Sequence, residues 1–161
     1  MAALSAAACR RAAAPSPTGQ QTFTGLSLSQ SQKGEPAWTL RAARAFLHED
    51  AHRADLEFPT MDFYQDGKPS SRIVARTGAV NTDTHDVLLS TGVVVDSVAD
   101  KSHLTTEALT YTAKTGLLTT DREVTIRRPD GVVRGRGLSA KPDLSEMTLN
   151  DQRAVMSGQG E

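Results

Sequence analysis

The sequence predicts an all-β chain built as an antiparallel meander, on three observations: apolar residues that recur at every second position, turn residues between those bursts, and a weak internal repeat. Alternation begins after Phe23 and is clearest at Trp38, Leu40 and Ala42, then at Ala54, Leu56 and Phe58, then at Met61 and Phe63. It returns at Ile73 and Ala75, Val93 and Val95, Leu109 and Tyr111, and Val124 and Ile126, with Arg, Thr, Asp or Glu between. A strand turns successive side chains to opposite faces, so this spacing predicts strands with one covered face. Asp66-Gly67, Lys114-Thr115-Gly116 and Pro129-Asp130-Gly131 supply the residues that tight turns require, because Gly adopts positive φ without penalty.

The repeat aligns HEDAHRADL at 48 with NTDTHDVLL at 81, TAKTGLLTT at 112 and KPDLSEMTL at 141, at offsets of 33, 31 and 29 residues. Each block is a polar turn leading into a strand, which suggests stacked β units.

With 161 residues the chain is long enough for one domain with its own core. Aromatics make up only 4% of it, so Val, Leu and Ala must fill that core, which suits an extended sheet. Lys and Arg total 18 against 19 Asp and Glu, leaving no basic excess for a phosphate backbone; nucleic acid is not an expected partner. The only cysteine is Cys9, so neither an intrachain disulfide nor a multi-cysteine metal site is available.

Residues 1–22 are expected to be a clipped signal or anchor followed by a disordered tether, and residues 23–161 to form the β domain. MAALSAAA ahead of Cys9 resembles the small-residue end of a secretory signal, which makes Cys9 a candidate acylation site, a lipid anchor. The stretch from Arg10 to Gln21 contains Pro15, Pro17 and Gly19 and too little apolar surface to offset its ordering entropy.

One catalytic pattern stands out. HEDAH, His48 to His52, fits the H-E-x-x-H arrangement in which two histidines one helical turn apart hold zinc and the glutamate activates water. That chemistry needs a helix, whereas the motif falls in the first polar repeat block between alternating segments, where a β turn is expected. No metal or cofactor is therefore expected, and a zinc hydrolase acting through His48, Glu49 and His52 stands as a minor alternative. No G-x-S-x-G elbow occurs, and Gly135 and Gly137 are read as strand glycines at a bend rather than a phosphate loop. The chain is not expected to be an enzyme.

Residues 36 to 149 resemble the LptC family of lipopolysaccharide-export proteins. The resemblance rests on the opening Trp38-x-Leu40-x-Ala42, on ADLEFPTMDFYQDGKPSSRIVARTGAV with its Phe-Tyr-x-x-Gly-Lys-Pro turn, and on VLLSTGVVV, LTTEALTYTAKTGLLTTDREVTI and GVVRGRGLSAKPDLSEMTL. It implies a twisted antiparallel β-jellyroll, a folded-over sheet stack with apolar inner walls, behind a disordered N-terminal leader. It also implies a non-enzymatic periplasmic component, anchored at the inner membrane. Such a component takes lipopolysaccharide from the permease subunits of an ABC transporter and passes it to a periplasmic bridge protein of the LptA type. Open strand edges supply the means of docking. On this reading Trp38, Leu40, Phe63, Ile73, Val93, Val95, Leu109, Tyr111, Val124 and Ile126 line the lipid groove, although the same residues would equally fill a packed β core. The receiving edge is expected near Gly34 to Leu40, and the delivering edge near Met147 and Leu149. An OstA-like scaffold that binds protein partners or another amphiphile is the runner-up.

Overall fold

The computed structural model describes residues 20–156. These form one antiparallel sheet of twelve strands: β1 (Gln20–Gln32), β2 (Glu35–His48), β3 (Arg53–Glu57), β4 (Thr60–Gln65), β5 (Lys68–Val74), β6 (Thr77–Asn81), β7 (Val87–Ser97), β8 (His103–Thr112), β9 (Leu117–Arg128), β10 (Gly131–Ala140), β11 (Met147–Leu149) and β12 (Arg153–Met156). The only helical element among the described residues is the 3-10 turn Glu49–Ala51, and none is long and apolar enough to cross a membrane. Strand β1 begins at Gln20, so the expected boundary after residue 22 falls inside it.

The registers reveal a simpler plan beneath the twelve labels. Arg44 of β2 faces Glu57 and Arg41 faces Thr60, which places β3 and β4 on one line as a single strand bent at Phe58 and Pro59. Likewise Glu57 faces Thr77 and Thr60 faces Val74, so β5 and β6 are one strand bent at Ala75 and Arg76. The remaining long strands slip register at the same level: β7 against β8 between Ser90 and Val93, β8 against β9 between Thr106 and Thr110, and β10 against β9 between Arg136 and Leu138. Positive φ accumulates along this line, at Gly25, Phe58, Thr91, Gly92 and Gly137. A slip inserts a residue that the neighbouring strand does not match, and the strand bends there. Because every strand bends at the same level, the whole sheet folds over on itself.

The fold line divides the sheet into two walls. One contains 35–41 of β2, β4, β5, 93–97 of β7, the start of β8, the end of β9, the start of β10, and β12. The other contains 44–48 of β2, β3, β6, 87–90 of β7, the end of β8, the start of β9, the end of β10, and β11. The four repeat blocks now have a structural meaning. Their turns, at 49–51, 82–86, 113–116 and 141–146, all lie on the free rim of the second wall, once per pair of strands.

The inner faces meet in one apolar core. On the first wall a row runs across eight strands through Leu28, Leu40, Met61, Ile73, Val95, Leu104, Ile126 and Val133, each the direct partner of the next. On the second wall Leu47, Ala54, Val80, Val87, Tyr111, Leu118, Ala140 and Met147 form the matching row. The walls touch through rings: Tyr111 meets Phe63 edge-on at 5.1 Å between centroids and Trp38 at 6.0 Å. The Ser97 hydroxyl also donates to the Asp143 carbonyl at 2.6 Å, tying β7 to the β10–β11 loop.

Phe58 departs from expectation. The spacing places it inward after Ala54 and Leu56, but it sits at the bend with φ near 51° and is 62% exposed, and Pro59 takes the inward place.

Candidate lipid-carrying interior and sheet edges

All ten residues expected to line a groove lie on the inner faces, and each is below 10% exposed: Trp38, Leu40, Phe63, Ile73, Val93, Val95, Leu109, Tyr111, Val124 and Ile126. The structure therefore brings them into one interior, and in this conformation they pack against one another. Burial pushes the Tyr111 phenol upward, and the nearby Asp86 carboxylate adds to the shift.

At the β1 end this interior reaches the surface. Phe23, Leu26 and Leu28 share the inner face with Ala45, Ala42 and Leu40, their partners in β2. Phe23 is 43% exposed, and Leu26 and Leu28 are half-buried against the core. Sequence reasoning did not place these three in the site. The alternation in TFTGLSLSQ carries the signal, but its phase changes at Gly25, where φ is positive. At the opposite end a cleft of about 160 Å³ opens between Ile126, Val133, Met147 and Leu149, with Arg128 beside it. The Arg128 guanidinium lies 3.6 Å from the Met147 sulfur and 3.5 Å from Asp100.

The edges differ in part from expectation. Gly34 lies in the β1–β2 turn with φ near 81°. The strand that follows it is no edge, because Trp38 has Gln30 of β1 on one side and Phe63 of β4 on the other. Strand β1 supplies the outer edge there. It runs thirteen residues with no charge and no proline, and so lacks the devices that usually blunt an exposed edge. Met147 and Leu149 do lie on the terminal strand at the other end, where β11 and β12 both pair with β10. Leu149 packs on the backbone of Gly135, and Asn150 bonds Arg136 and Gly137 through its main chain at the bend. The two glycines thus mark a bend, as the sequence suggested.

HEDAH is a hairpin turn. His48 ends β2 and its Nε2 lies 3.1 Å from Asp55, whereas His52, with φ near 49°, approaches Asp83 at 3.2 Å. The two imidazoles engage separate carboxylates. Among the described residues no group of three or more His, Cys, Asp or Glu is arranged to hold a metal. Cys9 lies outside the described residues.

The outer face carries charge. Asp62 of β4 is 5% exposed, covered by Arg41 and Arg72, each 2.6 Å from one of its oxygens. Burial acts to raise its pKa, but the hydrogen bonds and charges of Arg72 and Arg41 outweigh it and hold the carboxyl below its ordinary value. A depressed carboxylate contributes stability that is present above its unfolded pKa, near 4, and is lost as pH falls through the lower folded value. Asp62→Asn is expected to cost about 1–2 kcal/mol at pH 7. It should also shrink the gap between urea unfolding curves taken at neutral pH and near pH 3.

A single antiparallel sheet folded over an apolar interior, with an open strand at either edge, defines a β-jellyroll of the folded-over type. The family model for lipopolysaccharide-assembly, LptC-related proteins matches residues 22–156, and the chain belongs to that family. It is therefore a component of lipopolysaccharide export, and a periplasmic one. No curated protein matches the chain.

Proposed function

We propose that the two walls part to hold the acyl chains of lipopolysaccharide, which enter beside β1 and leave beside β11 and β12. The supporting observation is the pair of apolar inner rows that cross the sheet from edge to edge, reaching solvent at Phe23 and at the cleft beside Met147. Each methylene transferred from water gains about 0.8 kcal/mol, so a lipid of several chains has ample drive to replace the contacts between the walls. The sugar head stays in water along the free rims. Strand β1 docks the permease side of an inner-membrane ABC transporter, and the C-terminal edge adds to a strand of a periplasmic bridge protein. The chain is held at the inner membrane, with Cys9 as the acylated anchor, and acts as a carrier rather than an enzyme.

Photocrosslinking in cells that make lipopolysaccharide tests this. A photoreactive residue at position 63 or 109 is expected to capture lipid, and one at outward-facing Arg41 is not. Protein adducts at the edges without any lipid adduct from either inward position would replace the carrier with an OstA-like scaffold.

A further inference from the structure

The two open edges differ in charge on their outer faces. On β1 the outward residues are Thr22, Thr24, Ser27 and Ser29, all hydroxyls. At the other end Arg134 of β10 stands directly opposite Arg153 of β12, and both are exposed. Like charges at facing positions destabilise a strand pair. Arg136 extends the cluster by one more outward position along β10. The three guanidiniums border a cleft of about 370 Å³, with Glu123 and Asp151 on its margin. Among the described residues none of these arginines reaches a carboxylate within ion-pair distance, although nine other arginine and histidine side chains do.

We propose that the C-terminal edge selects its partner by charge: the strand that adds beside β12 presents carboxylates on the outer face. This rests on the edge-addition reading above and specifies the partner. Across an antiparallel pair, facing Cβ atoms lie about 4.5–5.5 Å apart, so an acidic residue opposite Arg153 neutralises it and also faces the field of Arg134. A second copy of this chain offers only hydroxyls and amides along β1, leaving the arginines unmatched. The same feature that attracts an acidic partner thus disfavours head-to-tail stacking of identical chains.

The test uses the full chain and two short synthetic strand peptides of identical apolar alternation, one with Glu and one with Lys at every second position. Fluorescence anisotropy gives affinity, and hydrogen exchange of the amides at 153–156 reports whether the edge is occupied. The Glu peptide is expected to bind about tenfold tighter at about 0.05 M salt, to protect those amides, and to lose most of its advantage at about 0.5 M. The Arg134→Glu, Arg153→Glu double variant changes two exposed side chains and should reverse the preference. Equal affinity of both peptides with protection at 153–156 overturns charge selection while leaving edge addition standing. Binding of the Glu peptide without that protection places it off the edge and also overturns the proposal. Failure of both peptides to protect the edge removes edge addition itself, and the proposal with it.

Discussion

Trp38→Ala is expected to lower the free energy of unfolding by about 3–5 kcal/mol, a large share of the roughly 5–15 kcal/mol that holds a domain together. Trp38 is 2% exposed and stands in the first wall opposite Phe63, while its ring meets Tyr111 of the second wall. Truncation removes the largest apolar side chain in the core and one of the two ring contacts across the fold. Urea unfolding followed by circular dichroism measures the loss, and Trp38→Phe should recover part of it. A loss below about 1 kcal/mol would mean that the walls do not pack on each other at this point. The wild-type protein offers a complementary readout. Its single tryptophan is this one, so emission should shift toward the red when lipid or denaturant separates the walls.

Gly135→Val is expected to release the terminal edge. A Cβ at Gly135 would stand 2.6 Å from the Leu149 side chain and 2.9 Å from the Asn150 carbonyl oxygen. The side chain of Leu149 can turn away, but the carbonyl belongs to the segment that bonds Arg136 and Gly137, and it moves only if that segment moves. Overpacking of this kind costs about 1–3 kcal/mol. Amides of β11 and the Asn150 amide should exchange faster, whereas those of β4 and β5, on the far side of the sheet, should keep their protection. If exchange rose equally throughout, the edge would be no separate unit.

Much of this architecture was legible in the sequence because burial on one face of a strand demands apolar residues at every second position. All ten residues expected inside are inside, from Trp38 to Ile126. The turns at Asp66 and Gly67 and at Gly116 also follow, since positive φ selects for such residues. The fold line was not legible. It appears as a slip of one residue in the alternation, at Ala42 to Ala45, at Leu56 to Pro59 and at Thr106 to Leu109, and a single slip resembles noise until the registers line the slips up. The misplacement of Phe58 has this cause. The outer strand at this end was missed for a related reason: β1 holds only three large apolar residues and its pattern breaks at Gly25, so its pairing with β2 leaves little trace. Nor does an apolar pattern say whether a second wall lies against the first, because the facing wall comes from the other half of the same strands.

The sequential order of the strands also bears on how the chain reaches this structure. With β3–β4, β5–β6 and β11–β12 each counted as one bent strand, every hydrogen-bonded ladder joins segments that follow each other along the chain. A polypeptide emerging N-terminus first can therefore zip hairpin onto hairpin without waiting for its C-terminus, and each closure spans only a short loop. The collapse of the two walls, when Trp38 first meets Tyr111, is expected to come late, and slow refolding phases should report that closure rather than strand pairing.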